Sequence, residues 1–439
     1  MAELAAMPKY EVYKDSGVDW LGEAPNHWDL LANKHIFKLK KKQVGKRSSE
    51  YDLLSLTLKG IIKRDMENPE GKFPAEFDTY QEVKKGDFVF CLFDVEETPR
   101  TVGLSAFDGM ITGAYTVFEP KPDFDKNFLY YFYLNLDSKK RLRPLYRGLR
   151  NTIPKESFLG FKTFVPPLTE QTAIANFLDK KTAQIDQAIA IKEKQIELLK
   201  ERKQITIQQA VTQGLNPNAP MKDSGVDWIG EIPEYWEFSK LKYYIEILPG
   251  YAFKSELYST KATGVRLLRG INVSPSYTKW NEVVYWPENK VKGLEKYFLE
   301  EGDLVIAMDR PWVSKGIRVT EIKKDDLPCL LLQRVGRIRG NKNALTAYIK
   351  LLLSTNLFLD YFGPMLTGIS VPHISSDQIE GFCAPIPSVE EQEKILEYLH
   401  IQTEKHDEGI SSTQQQIEKL KEYKNTLINS AVTGKIKVI

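Results

Sequence analysis

Lys14-Asp15-Ser16-Gly17-Val18-Asp19-Trp20-Leu21-Gly22-Glu23-Ala24-Pro25-Asn26-His27-Trp28 lies near the start of this chain, and Lys222-Asp223-Ser224-Gly225-Val226-Asp227-Trp228-Ile229-Gly230-Glu231-Ile232-Pro233-Glu234-Tyr235-Trp236 lies in its middle. The two stretches differ only at apolar and loop positions such as Leu21/Ile229 and His27/Tyr235. Agreement of this length is an internal duplication. Further along, Val165-Pro166-Pro167-Leu168-Thr169-Glu170-Gln171 opens a long helical pattern, and Pro385-Ile386-Pro387-Ser388-Val389-Glu390-Glu391-Gln392 opens another. These patterns close on the related tetrads Gln209-Ala210-Val211-Thr212 and Ser430-Ala431-Val432-Thr433. Each half is a Trp-rich segment, a variable stretch and a long helix. The period is about half the chain, well beyond the roughly 20 to 50 residues of a solenoid repeat, so two domains are expected rather than an array.

The expected division is 1–168 for the first Trp segment and variable domain, 169–213 for the first long helix, 214–387 for a linker and the second copy, and 388–439 for the second helix and tail. After Thr169, read as the N-cap with Glu170 in the first turn, apolar residues recur at Ile174, Leu178, Ile185, Ile189, Ile196, Leu199 and Ala210. The second copy gives Ile395, Leu399, His406, Ile410, Ile417, Leu420, Leu427 and Ala431. This is the spacing of a coiled-coil seam. Lys192, Lys203, Thr413 and Lys424 interrupt it, and His406 reads as a packed histidine rather than a ligand. With Gly409 as the only interior glycine and no proline, each helix can run for about 40 residues, on the order of 60 Å. The fold class is mixed: two α+β domains joined by two long antiparallel coiled-coil helices, with the variable domains at opposite ends of an internal pseudo-two-fold repeat. Helices that merely glue the halves together are the alternative.

The 439 residues and their 42 % hydrophobic content are ample for buried cores. No apolar run approaches the roughly 18 residues of a membrane span, and Met1-Ala2-Glu3-Leu4 has no secretory character, so the expected setting is cytoplasmic, without membrane. Cys91, Cys329 and Cys383 lie far apart without CxxC spacing, which argues for reduced thiols and against a disulfide framework or zinc site. The histidines are scattered too, with His27, His35 and His400 in ordinary surface or half-buried roles. A net charge of +2 falls short of the strongly basic footprint of a small nucleic-acid binder. Locally, however, Lys38, Lys40, Lys41, Lys42, Lys46 and Arg47 crowd one stretch and Lys139, Lys140, Arg141, Arg143, Arg147 and Arg150 another. A solvated face is the competing account of either cluster.

The variable stretches, about 29–165 and 237–384, share landmarks rather than identity. Lys84-Lys85-Gly86-Asp87-Phe88-Val89-Phe90 matches Glu300-Glu301-Gly302-Asp303-Leu304-Val305-Ile306 as a turn feeding a strand. Phe128-Leu129-Tyr130-Tyr131-Phe132 and Tyr348-Ile349-Lys350-Leu351-Leu352 read as helices. Divergence inside nearly identical flanks suits two domains that read different targets. Side chains able to contact bases or phosphates are Lys46, Arg47, Arg64, Arg100, Arg147, Arg150 and Asn151 in the first domain. In the second they are Tyr251, Lys254, Arg269, Asn272, Arg310, Trp312, Lys315 and His373, although Arg269 could equally cap a strand end and Trp312 could be core. Partner-docking candidates are Trp20, Trp228 and the seam residues Ile189, Ile196, Leu199, Ile410, Ile417 and Leu420, with an intradomain role for the two tryptophans as the alternative.

The doubled Gly-x-Asp-Trp-Leu/Ile-Gly-x-x-Pro-x-x-Trp motif and the Pro-Pro-Leu-x-Glu-Gln signature before a long helix, repeated as Pro-Ser-Val-x-Glu-Gln before the second, resemble the specificity subunits of type I restriction-modification systems. Gly250-Tyr251-Ala252-Phe253-Lys254-Ser255 followed by Arg269-Gly270-Ile271-Asn272 also resembles the opening of a target recognition domain; the first domain has Val44-Gly45-Lys46-Arg47 instead. The resemblance implies a non-catalytic reader of double-stranded DNA in which each recognition domain takes one half of a bipartite target, the helices set the spacer, and two modification (methyltransferase) subunits dock. Restriction (motor-nuclease) subunits then join. It implies no cofactor on this chain, with S-adenosylmethionine, and ATP with magnesium, on the partners. Asn216-Pro217-Asn218 lacks the aromatic of an amino-methyltransferase motif, and Gly434-Lys435-Ile436 is no Walker A sequence. A specificity subunit of a related type II-like enzyme and a duplicated coiled-coil scaffold that binds only proteins are the rival readings.

Overall fold

The turn before the strand Phe88–Phe90 and the turn before Leu304–Ala307 are built alike. Asp87 accepts the Lys84 amide at 2.7 Å, and Asp303 accepts the Glu300 amide at 2.8 Å. Each buried carboxylate then takes a cation from another strand of its sheet, Lys40 at 2.6 Å for Asp87 and the Arg339 Nη2 at 3.0 Å for Asp303. A buried carboxylate needs such partners to offset its desolvation. The aspartate of the repeated Gly-Asp pair therefore locks the turn and the sheet together.

The computed structural model describes residues 7–65, 76–313, 316–366 and 372–438. Among them, the two turns feed antiparallel four-stranded sheets of one order. In the first domain the order is Phe37–Lys40, Thr116–Pro120, Phe88–Phe90, Val102–Leu104; in the second it is Ile245–Pro249, Val335–Gly340, Leu304–Ala307, Val319–Glu321. A hairpin precedes each domain, Tyr13–Asp15 with Glu23–Pro25 and Met221–Asp223 with Glu231–Pro233. A strand pair closes each, Asp29–Ala32 with Lys162–Val165 and Glu237–Lys240 with Cys383–Ile386. The helices Lys126–Ser138 and Thr346–Leu353 fill the positions read from their aromatic and aliphatic runs. The copies part company elsewhere. The second holds a three-stranded sheet in which Val265–Leu268 runs parallel to Cys329–Leu331, while the first has the hairpin Leu54–Thr57 with Gly60–Lys63.

The two long helices are Leu168–Thr212 and Val389–Val432, 45 and 44 residues without a break. The first begins before Thr169, which is therefore not its cap: the amides of Glu170 and Gln171 donate to the Pro167 carbonyl at 2.9 and 3.0 Å. In the second, the Ser388 hydroxyl accepts the Glu391 amide at 3.3 Å. The chain divides into two compact units, residues 1–193 with 414–439 and residues 194–413. Inside each unit the helix segments run antiparallel, and the interruptions of the seam are satisfied. Lys424 reaches Asp186 at 2.6 Å in the first unit, and Lys203 reaches Asp407 at 2.7 Å in the second. Lys192 bonds Gln416, and the Thr413 hydroxyl returns to the Gly409 carbonyl at 2.8 Å. These polar positions hold register, because sliding the helices by one turn would unpair the half-buried lysines. His406 is half-buried and bonds the Gln402 carbonyl at 2.6 Å, in keeping with a packed histidine.

Each unit has one dominant core. Trp28, Phe90, Phe158, Leu178, Leu427 and Ala431 belong to the first, and Trp236, Phe358, Leu352, Ile395, Val211 and Ile306 to the second. Cys91, Cys329 and Cys383 are free thiols, and burial pushes the Cys329 thiol up to about 12, which keeps it protonated and inert. Among the described residues no helix is long and apolar enough to cross a membrane, and no group of three or more His, Cys, Asp or Glu side chains is placed to hold a metal ion.

Candidate nucleic-acid interface

The central strands lead into residues 91–100 in the first domain and 308–313 in the second. At corresponding places, Asp94 and Arg310 both adopt φ of +45°, a left-handed conformation that costs a non-glycine residue about 1 kcal/mol or more. The structure holds it there by the same two bonds in each domain. Asp94 N donates to Arg150 O at 2.8 Å and Arg310 N to Pro372 O at 2.7 Å; in return Ile153 N donates to Leu92 O and Ile374 N to Met308 O, both at 2.8 Å. Ile153 and Ile374 are buried and anchor the returning segment. A loop leaving the central sheet is thus stitched to the segment that precedes the closing strand, twice, with different side chains.

In the first domain the stitched segment ends in a tight tip. Arg147 and Thr152 exchange both backbone bonds, at 2.8 and 3.0 Å, around the turn Gly148-Leu149-Arg150-Asn151, whose ends have φ of +66° and +44°. Three of the candidate readers, Arg147, Arg150 and Asn151, meet here. Arg150 grips Asp94 through Nε at 3.0 Å and through Nη2, and its guanidinium lies 5.7 Å from the Phe93 ring, which stacks on Tyr115. Arg143 grips Glu96 with the same two nitrogens, and Asn151 Nδ2 donates to Glu97 at 3.3 Å. The guanidinium partners hold the carboxyls of Asp94 and Glu96 below the usual carboxylate range. Arg147 differs, its Nη1 donating to the Tyr146 carbonyl at 2.9 Å.

In the second domain the stitched position itself carries the cation. Arg310 is exposed, with no hydrogen bond or ion pair to its side chain among the described residues. The preceding residue, Asp309, takes His373 Nδ1 at 2.7 Å and Arg334 Nη1 at 2.5 Å. Burial alone would raise the Asp309 carboxyl, but these two donors outweigh it and leave it below its ordinary range. Arg318 braces the loop from beneath, with Nη1 bonded to the Asp309 carbonyl at 3.1 Å and Nε to the Val273 carbonyl at 3.0 Å. Arg310 and His373 are therefore brought together, with Arg334 added.

Other candidates lie elsewhere. Lys46 is exposed on the short 3-10 segment Gly45–Glu50, where Arg47 pairs with Glu50 at 2.7 Å. Arg64 is half-buried, its amide bonded to the Leu53 carbonyl. Arg100 turns toward Tyr130 and lines a cavity of about 750 Å³ with Asp186 and Lys424 of the long helices, a lining that includes none of the tip residues. Tyr251 meets Phe253 edge-to-face and Tyr297 at a tilt, with exposed Lys254 after it. Arg269 donates to the Glu282 carbonyl. Asn272 must be corrected: it is 1 % exposed, its Oδ1 accepts the Arg269 amide at 3.0 Å and its Nδ2 donates to the Lys279 carbonyl at 2.8 Å, so it clamps a turn and offers nothing to a base. Trp312 packs on Phe358 as part of the second core. Lys315 lies outside the described residues.

The docking candidates divide as well. Trp20 is covered by the Arg141 guanidinium at 4.4 Å, which Asn429 holds at 3.0 Å, whereas Trp228 is 44 % exposed. Ile196 and Ile417 are buried within the chain and cannot also form an outer surface; Ile189, Leu199, Ile410 and Leu420 are half-buried. The large apolar side chains that the long helices do expose are Leu168, Ile191, Leu198, Ile205, Tyr398 and Ile401. They fall off the seam, so a search for seam positions passes over them. The partners Asp94, Asp309 and Arg334 were missed for a different reason: only the register between the copies, Ile153 with Ile374 and Phe161 with Phe382, hints at them.

A family model described as the type I restriction modification DNA specificity domain matches residues 105–201 and 233–422. The type I restriction enzyme EcoAI specificity subunit of Escherichia coli is 38 % identical over 167 residues, 38 % of this chain and 28 % of that protein. The MjaVIII specificity subunit of Methanocaldococcus jannaschii is 31 % identical over 287 residues, 65 % of this chain and 64 % of that protein. The matched regions thus span less than two thirds of either relative. Among solved structures, the HsdS subunit of Thermoanaerobacter tengcongensis aligns at a TM-score of 0.55 and 14 % identity over 94 % of this chain and 98 % of that one. A chain from a study of assembly and conformational transition of the type I R-M system aligns at 0.68 and 12 %, covering 93 % and 98 %. At such identities the two structures speak to the fold.

Proposed function

We propose that this chain, which belongs to the type I restriction-modification DNA specificity family, is the non-catalytic sequence reader of a restriction-modification assembly. Each recognition domain contacts one half of a split target on double-stranded DNA, and the paired long helices fix the number of unread base pairs between the halves. Two modification subunits dock on the chain and carry the methyl donor S-adenosylmethionine; restriction subunits bring ATP with magnesium. The observation that carries this reading is the stitched loop built twice on sheets of the same strand order, with Asp94 in one copy and Arg310 in the other. A scaffold held constant while its presented side chains change is what two readers of different base sequences require, because base edges are distinguished by donor and acceptor pattern. Phosphate contacts from Lys46, Arg147 and Lys254 would set register on the duplex without carrying sequence information.

Co-expression with the modification subunit, followed by sequencing that detects methylated bases, tests this. The expected result is methylation within a split motif. A single continuous motif would remove the two-reader account, and removal of seven residues from each long helix should alter the spacer while keeping the half-site letters. DNA binding without sequence preference, or none, would favour a protein-binding scaffold.

A further inference from the structure

Leu149 is 104 % exposed, so its side chain touches nothing in the folded chain. Single exposed leucines are common on protein surfaces, but this one occupies a corner of the turn Gly148-Leu149-Arg150-Asn151, where Asn151 N donates to Gly148 O at 3.3 Å. The turn is held by the Arg147–Thr152 bond pair and by the bonds Asp94 N to Arg150 O and Ile153 N to Leu92 O. Arg150 is further fixed by Asp94 and Arg143 by Glu96. The fold therefore spends backbone bonds, ion pairs and the left-handed φ of Asp94 on presenting one apolar group rigidly between two cations. Rigid presentation means that burying it against a partner costs little ordering.

We propose that Leu149 is a specificity-determining residue of the first recognition domain and that its methyl groups pack on the C5-methyl group of a thymine in the major groove. This rests on the reading that the domain contacts DNA. A leucine has no donor or acceptor, so the only feature of a base edge it can recognise in the major groove is that methyl group. The tip is two chains wide, which fits the major groove of about 12 Å and not the minor groove of about 6 Å. Arg147, whose guanidinium donates to the Pro144 and Tyr146 carbonyls and meets no carboxylate among the described residues, is placed to take a phosphate beside it.

The test uses the complex of the full chain with its modification subunit and duplexes of its mapped target in which each thymine is replaced in turn by uracil, removing only the methyl group. One replacement, confined to one half-site, should weaken wild-type binding about fourfold, the equivalent of one buried methyl group. Leu149→Ala should bind the thymine duplex about fourfold more weakly and should no longer distinguish uracil from thymine there. Because Leu149 packs on nothing, the variant should melt with the wild type. A uracil scan without effect in either half-site, or an effect that Leu149→Ala retains, overturns the proposal while leaving the split-motif reading intact. So does a variant that keeps its uracil profile but loses the modification subunit, since the tip would then be a protein contact. Absence of any sequence preference in the wild-type complex removes the DNA reading itself.

Discussion

The indole Nε1 of Trp28 donates to Oε1 of Glu170 at 3.0 Å, and Trp236 repeats the bond to Glu391 at the same distance. The two duplicated signatures, one ending in tryptophan and the other beginning a long helix, are thus the two ends of one hydrogen bond. His27 adds a bond to Glu170 at 2.7 Å where Tyr235 adds one to Glu391 at 3.1 Å, and Tyr10 completes the first site. The neighbouring glutamine serves the same purpose: Gln171 accepts the Asp125 amide at 2.9 Å and Gln392 the Leu345 amide at 2.8 Å, tying the long helix to the domain helix.

Glu170→Ala should destabilise the first unit by about 3 kcal/mol, because it leaves the buried Trp28 N–H and the Tyr10 hydroxyl without an acceptor. Glu391→Ala orphans fewer donors and should cost less. Urea unfolding of the two purified variants compares them; equal costs would show that Tyr10 and His27 add nothing.

Gly434→Ala should cost about 2 kcal/mol or more, since the position has φ of +70° and a Cβ there would lie 2.4 Å from the Pro25 ring. The corresponding Gly214 has φ of +71°, with its nearest neighbour, Trp236, at 3.1 Å, so Gly214→Ala should be milder. Thermal melting distinguishes the two.

Gly409→Ala should stabilise the protein by about 0.5 to 1 kcal/mol through helix propensity. The new methyl would meet Leu199 at 3.5 Å, an ordinary contact in the second unit. A lower melting temperature would mean that the helix pair has no room there.

The Asp94–Arg150 pair should respond to both charge and pH. The Asp94 carboxyl lies below its ordinary 3.8 because Arg150 hydrogen-bonds it, so the pair is present above that value and is lost as pH falls through the lowered one. At neutral pH, Asp94→Asn should release Arg150 for phosphate and steepen the salt dependence of DNA binding by about one ion. An unchanged slope would place Arg150 away from the backbone.

The duplication, the fold class and the two helices were legible in the sequence because each is a local signal: near-identity over fifteen positions, and apolar spacing that follows the helical period. The paired signatures of the Trp segment and the helix start were legible as motifs but not as a bond, since Trp28 and Glu170 meet only after the intervening domain has folded. Asn272 shows the opposite case. Its amide looked suited to a base, and the turn that claims both of its ends depends on backbone angles a residue name does not carry.

What the sequence determined by itself is therefore an architecture of two like domains and two long helices, because duplication and periodicity are written in neighbouring residues. Which side chains face solvent was decided by tertiary structure. Asp94 and Arg150 stand 56 positions apart and are joined by a backbone stitch at a left-handed residue, and that stitch, not the local sequence, is what pushes Leu149 out into solvent.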